Sequence, residues 1–501
     1  MRNFKGGKNM FDICRPEAVG ISPAHIREYI ELLEENRLST HNVVIARGNK
    51  ICFEKYWAPF HKDFLHRQYS CTKSFVSLAV GFLEQDGLVN LDDPIEKYFP
   101  DECAGKHEYL RKQTIRDMLM MATGKHGGNW LLKPVGEDRV RIYFDNNQNA
   151  PRPSGTIFEY DSSGSFVLSA MVERITGKRL FDYLREKCLD EIGFSKEAYC
   201  MTCPGGHSWG DSALLCTARD FLLAARFVLN GGSWDGKQLL NREYVSAATS
   251  KQIDTNNTMT NEHLSNGYGY QFWRIHGDSF YFCGMGCQIA VCVPEKDMIL
   301  IYNGDNQGKN TAYEIVLEGF FKLVAETASD SPLPEDKASF DALEGYTKDL
   351  KLCSAKGEKT SPMLEKINGV TYALEENPMG ITKFSLEFDG NEGKLHYTNV
   401  QGDKTICFGM CENAFGIFPE EGYSDEVGGV HVPGSYYKCA ASAAWVSPFQ
   451  LFIKVQIIDK YFGNLNIMIG FKDNKATMYM TKAAEDFLDE YQGFAGGETT
   501  L

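Results

Sequence analysis

Ser70 and Lys73 stand three residues apart in "YSCTKSFVSLAVGFLEQDGL". A serine hydroxyl is a weak nucleophile at neutral pH and needs a base beside it. A lysine can be that base where burial disfavours its charged form, and the start of a helix adds a positive dipole and free N–H groups for an oxyanion. Ser70 directly precedes a stretch in which Phe75, Leu78, Phe82 and Leu83 recur at helical spacing. On that helix Ser70 and Lys73 share a face. The spacing alone is not a site, because Ser435 and Lys438 in "GSYYKCA" repeat it behind Pro433 and Gly434. There the residues are strand-like, and positions i and i+3 point to opposite faces. The plain alternative for Ser70 and Lys73 is a helix-capping serine with a surface lysine.

Other residues with chemical potential are fewer. Tyr160 and Ser162 in "FEYDSSGSF" form a Y-x-S before a helix start, a position from which a phenol can enter a cleft. Cys200 and Cys203 make a C-x-x-C with His207 close behind, but no second close pair completes a zinc site. Gly284, Met285 and Gly286 give G-x-G without a third glycine or a following helix, which argues against dinucleotide binding. Cys283 and Cys287 read as core or strand thiols. No metal or organic cofactor is expected.

Composition narrows the partners. The chain has 67 acidic and 52 basic residues, a formal charge of -15, which repels nucleic acid and anionic lipid alike. The N-terminus lacks the apolar run of a signal peptide, and no segment offers about 20 uninterrupted apolar residues. Fifteen scattered cysteines fit reduced thiols. The expectation is a cytoplasmic protein acting on a small molecule, with the oligomeric state open.

The elements that must position Ser70 follow from periodicity. "SPAHIREYIELLEEN" reads as a helix with Ser22 as N-cap, and "HNVVIARGNKICFEKYWA" as a hairpin turning at Gly48 and Asn49. "TIRDMLMMATG" reads as a short helix ended by Gly124, residues 126–153 as long loops able to wall a cleft, and residues 164–194 as two helices broken at Gly177. Thr217 caps a further helix. "NGYGYQFWRI", "DSFYFCGMGCQIAVCVPEKD" and "MILIYNG" are strand-like, and "AYEIVLEGFFKLVAETA" is a closing helix. Strands from both ends of residues 1–328 therefore share one sheet. "SDSPLPEDKAS" has the Pro-rich, charged composition of a linker, placed at 329–340. Residues 341–495 alternate in short strands with Asp-Gly and Asp-Asn turns, an antiparallel barrel or sandwich with helical periodicity only in its last segment.

S-x-x-K with partner motifs is the signature of penicillin-recognising serine enzymes. The ordered segments "YSCTKSFVSLAVGFLEQDGLVNLDDPIEKYFP", "TIRDMLMMATG", "PSGTIFEYDSSGSFVLSAMVERITG", "CTARDFLLAARFVLNGGSWDGKQLL" and "NGYGYQFW" resemble the serine β-lactamase-like hydrolases, over about residues 15–325. The resemblance is to the branch of class C β-lactamases, D-aminopeptidases, esterases and 6-aminohexanoate-dimer hydrolases. It implies an α+β fold, a sheet flanked by helices with a helical lobe, followed by a lipocalin-like barrel. It also implies Ser70 as nucleophile, Lys73 as its partner and Tyr160 as the proton-relaying phenol, with Ser162 replacing the usual asparagine. The K-T-G or H-x-G triplet of that family is missing. Phe282, Cys283 and Gly284 take its place, like the Gly-rich version of esterase and amide-hydrolase relatives.

The triplet's loss removes the contact for a substrate carboxylate, worth ~1.5–3 kcal/mol. Backbone N–H groups near Gly284 and Met285 are left to complete an oxyanion hole with Ser70. The reading is thus a serine hydrolase forming an acyl-enzyme on a small ester, amide or short peptide. The alternatives are a β-lactamase or D-peptidase proper, and a non-catalytic sensor that captures an acyl ligand. The barrel is expected to serve as cover, with the loop at 419–429 limiting substrate size.

Overall fold

The computed structural model describes residues 11–125, 138–259, 261–485 and 487–499. The chain divides into two compact units, Met1–Lys351 with Asp425–Gly428, and Leu352–Ser424 with Gly429–Leu501. Among the described residues no helix is long and apolar enough to cross a membrane.

The first unit is built on a seven-stranded sheet, in the order Asp12–Ile13, Lys50–Tyr56, Thr40–Arg47, Met298–Gly304, Gln288–Val293, Phe280–Gly284 and Trp273–Arg274. Its centre joins the two ends of the unit: Val43 pairs with Tyr302 and Ile45 with Leu300. Alternation then decides the packing. Val43, Ile45, Leu300, Tyr302, Ile289 and Val291 enter one core with Ile26, Ile30 and Leu33 of the helix Pro23–Glu35 and Val316, Leu317 and Phe320 of the helix Ala312–Phe320. Helix Ala218–Leu229 packs against the strands Gln288–Val293 and Met298–Gly304. It opens on a capping box, with Thr217 Oγ1 accepting from Asp220 N and Asp220 Oδ2 from Thr217 N. A sheet buried on both faces requires continuous apolar strands, which is what "QIAVCV" and "MILIY" are.

The helical lobe centres on Thr72–Gln85 and Ser162–Thr176, which pack together and are buried almost all round. The second of these ends at Gly177, whose φ of +67° allows the left-handed turn.

Several expected boundaries move. The helix after Thr114 spans Ile115–Leu119, so it ends before Gly124. Of the loop expected at 126–153, residues 126–137 lie outside the described residues, and Arg139–Asn146 is a helix capped by Asp138. The stretch placed as a linker at 329–340 leads into the helix Lys337–Tyr346, which belongs to the first unit. Leu343 enters the core, Arg15 lies 4.3 Å over the Phe340 ring and Lys55 pairs with Glu344 at 2.8 Å. The division therefore falls at Lys351 rather than near 328.

The second unit is a barrel. Strands Gly402–Met410, Glu392–Asn399, Lys383–Asp389, Thr371–Leu374, Gly493–Thr499, Lys475–Ala484, Phe462–Lys472, Gln450–Ile458 and His431–Ser447 follow one another by hydrogen bonding. The ring closes where Gly409 and Met410 pair in parallel with Ser442 and Ala443. Strand Ala414–Tyr423 adds to its neighbour His431–Ser447. Leu465, Ile467 and Ile469, and likewise Ala476, Met478 and Met480, are the buried alternate positions. The last segment, expected to be helical, ends in the strand Gly493–Thr499, which pairs with Lys475–Ala484. Ser435 and Lys438 lie on the strand His431–Ser447, as their flanks required.

One buried pair makes stability depend on pH. His41 Nδ1 and His66 Nε2 are 3.2 Å apart, and His41 stacks on Phe60 at 3.7 Å. Burial lowers the His66 pKa to about 3. The neutral ring is thus favoured in the fold while the unfolded chain protonates near 6.5, so the contribution is complete above that value and is lost as pH falls toward 3. The expected slope is about 1.4 kcal/mol per pH unit from this group. Urea midpoints measured at pH 7 and 5 should converge more in His66→Gln than in the parent, and an identical acid slope in both would refute it.

Candidate active site

A single 3-10 turn, Tyr69–Cys71, carries Ser70 into the helix Thr72–Gln85. Tyr69 holds φ at +46°, the left-handed region that a non-glycine residue rarely adopts. Its neighbours compensate: the Arg67 guanidinium lies 4.3 Å over its ring, and Thr72 Oγ1 donates to its carbonyl at 2.6 Å. This turn leaves Ser70 half-buried.

One helical turn on, Lys73 is 1% exposed. Its ammonium Nζ donates to Ser70 Oγ at 2.8 Å and to the main-chain oxygen of Asp211 at 2.6 Å. Two acceptors fix where Nζ points, and one of them is the candidate nucleophile. Lys73 Nζ also lies 5.3 Å from the centroid of the Tyr160 ring.

Tyr160 completes the group by hydrogen bonding to Ser70. Burial raises its phenol above the ordinary range, and the bond to Ser70 only partly opposes this, so the neutral phenol is favoured. Its ring stacks on Trp273 at 5.8 Å, within an aromatic wall that includes Phe158 and Tyr268. The next residue anchors it. Asp161, at the N-cap of Ser162–Thr176, accepts from Lys125 Nζ at 2.9 Å and Thr123 Oγ1 at 3.0 Å. Burial would raise the Asp161 carboxyl, but the Lys125 charge and the hydrogen bonds of Ser163 and Lys125 hold it below its usual value.

The opposite wall is the strand Phe280–Gly284, which turns through Met285 and Gly286 into Gln288–Val293. Phe282 is buried among Phe75, Phe221 and Phe272, so its side chain belongs to the core. Cys283 is half-buried, and its thiol is pushed up to about 12, chiefly by burial. It faces Lys73 and Tyr160 as a neutral group. A Cβ on Gly284 would stand 2.3 Å from the Gln68 oxygen and 3.1 Å from Cys71 Sγ. Only glycine lets this strand end lie so close to the turn that carries Ser70.

Behind the two walls, buried amides hold one to the other. Asn303 Nδ2 donates to Gln68 Oε1 at 3.2 Å and to Gln288 Oε1 at 2.9 Å, and Asn303 Oδ1 accepts from Asn42 Nδ2 at 3.0 Å. Cys71 Sγ donates to the Gln288 carbonyl at 3.1 Å. The hydroxyl of Tyr313 donates to the Gly284 carbonyl at 2.7 Å.

Residues 25–316 match the family model described as Beta-lactamase. The chain belongs to the Beta-lactamase family. Similar members include a 6-aminohexanoate-dimer hydrolase of Paenarthrobacter ureafaciens, 23% identical over 49% of this chain and 67% of the relative. Esterase EstB of Burkholderia gladioli is 29% identical over 30% of this chain and 44% of the relative. A candidate 6-aminohexanoate-dimer hydrolase from Bacillus anthracis shares the fold at a TM-score of 0.50 and 18% identity, covering 62% of this chain and 86% of that one. The protein is thus a β-lactamase-fold chain whose named relatives include hydrolases.

Of the residues singled out by sequence, the structure brings Ser70, Lys73, Tyr160, Cys283 and Gly284 together. Ser162 is half-buried at the first helical position, and Met285 is half-buried in the turn. Among the described residues neither hydrogen-bonds to Ser70 or Lys73. His207 is engaged by Glu173 at 2.8 Å, and among the described residues no group of three or more His, Cys, Asp or Glu could hold a metal ion.

Sequence reasoning missed Asp211, Lys125, Tyr313 and the Gln68, Gln288 and Asn303 amides. None has a local pattern. Asp211 lies five residues before the segment "CTARDFLLAARFVLNGGSWDGKQLL", outside every stretch that carried the resemblance.

Proposed function

We propose that the protein is a serine hydrolase working through an acyl-enzyme on a small ester or amide. The observation that carries this reading is Lys73 Nζ 2.8 Å from Ser70 Oγ, aimed there by the Asp211 carbonyl, where the neutral amine can take the hydroxyl proton. Ser70 Oγ attacks the substrate carbonyl and its proton passes to the Lys73 amine, with Tyr160 bridging toward the leaving group. The carbonyl carbon then expels the leaving group, which takes up that proton. Water next attacks the acyl-Ser70 ester and gives a proton to the same base; the Ser70 Oγ–acyl bond then breaks, Oγ takes that proton back, and the acid is released. The main-chain N–H groups of Ser70 and of the Gly284 turn are the candidate donors to the oxyanion.

The third-motif strand favours a neutral acyl portion. Cys283 is held protonated by burial, and neither Phe282 nor Gly284 offers a charge. A substrate carboxylate would gain no ion pair from these residues, which argues against a β-lactamase or D-peptidase proper. The hydrolase and esterase relatives support the reaction class.

A fluorophosphonate probe followed by peptide mapping tests the assignment, paired with turnover of a short-chain aryl ester. The expected result is a single adduct on Ser70 and steady turnover after a burst. An adduct mapping elsewhere would overturn the reading. A burst without turnover would instead select a sensor that captures an acyl ligand.

A further inference from the structure

Asp211 has a feature that its main-chain bond to Lys73 does not use. The residue is 1% exposed, and among the described residues no hydrogen-bond donor apart from its own backbone N–H reaches either carboxyl oxygen. A buried carboxyl without partners costs free energy that the fold must recover elsewhere. The charges of three cations from three elements act on it: Lys73 of Thr72–Gln85, whose Nζ donates to the Asp211 main-chain oxygen at 2.6 Å, Arg139 of the helix Arg139–Asn146, and Arg67 of the strand His66–Arg67. The neutral groups within its field are the Tyr160 phenol and the Cys200 and Cys203 thiols. Arg67 is occupied with Ser212, donating to its carbonyl at 3.1 Å and its Oγ at 3.0 Å, and it stacks 4.5 Å over Trp209. Arg139 lies 4.9 Å over the same indole. Lys73 already has its main-chain and Ser70 acceptors. The carboxyl therefore acts on these cations through its field rather than through a hydrogen bond.

We propose that the buried side chain of Asp211 sets the basicity of Lys73, making Asp211 a positioning residue for the candidate base. The inference rests on the serine-hydrolase reading above. A carboxylate near an ammonium raises the proton affinity of the amine. Lys73 is then a stronger base once free, and a larger fraction of it is protonated at a given pH. Burial raises the Asp211 carboxyl above its usual value and the three cations only partly oppose this, so the field comes from the fraction of Asp211 that is ionised at the working pH.

Two consequences separate this role from a structural one. In Asp211→Asn the acid limb of the kcat/KM profile should move to lower pH by about one unit. The plateau above it should fall several-fold, because a weaker base takes the Ser70 proton less readily. Asp211→Glu, which keeps the charge, should leave the limb in place. If Asp211→Asn does not fold, Asp211→Ser reads the same shift. A limb that stays within 0.2 unit (about the precision of such a fit) in the folded neutral variant, or one that moves upward, overturns the proposal. Fluorophosphonate labelling of the same samples keeps the two readings apart. A Ser70 adduct with an unmoved limb refutes the role of Asp211 alone, whereas loss of Ser70 labelling in the parent refutes the hydrolase itself.

Discussion

Ser70→Ala is expected to lower kcat for a short-chain aryl ester by at least about 10⁴-fold, with the burst lost. The substitution removes only Oγ from a half-buried position, so the turn Tyr69–Cys71 and its bonds from Thr72 and Cys71 remain. Lys73→Met is its natural companion, because it keeps the buried stem and deletes the ammonium that donates to Ser70 and Asp211. Groups that act as one unit lose most of their effect with the first removal. The double variant should therefore be no slower than Ser70→Ala alone. Equal unfolding midpoints for parent and Ser70→Ala would locate the loss in chemistry. Turnover within tenfold of the parent in Ser70→Ala would remove Ser70 from the mechanism, and multiplicative losses would mean that Ser70 and Lys73 act separately.

What could be read from the sequence was whatever short-range periodicity encodes. Ser70 and Lys73 are one helical turn apart, so their shared face followed from spacing, and the structure adds that the helix is buried on every side from Thr72 to Leu83. Val43 to Ala46, Ile289 to Val293 and Met298 to Tyr302 read as strands because helices cover both sheet faces and every position is apolar. The barrel was legible for the opposite reason, since one face of each strand alternates with the other.

The misses share a cause. Asp211 meets Lys73 across 138 residues of chain, and the Asn303 amide meets Gln68 across 235. No local pattern carries such a contact. The helix Arg139–Asn146 is only eight residues long and sits in a stretch rich in glycine, asparagine and proline, so the flanking composition outweighed Val140, Ile142, Tyr143 and Phe144. The helix Lys337–Tyr346 buries one leucine, Leu343, and its polar remainder reads as linker. Its stability comes from tertiary contacts rather than from propensity.

Gly284→Ala should separate placement of the nucleophile from its identity. The added methyl would meet the Gln68 carbonyl oxygen at 2.3 Å, with Cys71 Sγ and Gln288 Cβ each at 3.1 Å. The first is backbone, one residue before the turn that begins at Tyr69, and it cannot rotate away. Gly284 cannot yield easily either, since it pairs with Gln288 and its carbonyl accepts from Tyr313 at 2.7 Å. The strand end and the nucleophile turn must then separate by several tenths of an ångström or more, although Ser70, Lys73 and Tyr160 are all retained. Misplacement of that order in a positioned site costs about 10²-fold. The expected result is a kcat lower by about that factor, with fluorophosphonate labelling of Ser70 slowed in parallel. The amide bridge through Asn303 should keep the variant folded, at a cost of roughly 1–3 kcal/mol for the overpacked contact. Gly390→Ala in the barrel, where a Cβ meets nothing but the φ of +60° adds strain, is the control for a glycine effect on stability alone. If Gly284→Ala loses stability but retains the parent's kcat, the close approach of the two walls is a packing feature and the oxyanion role of the Gly284 turn falls with it.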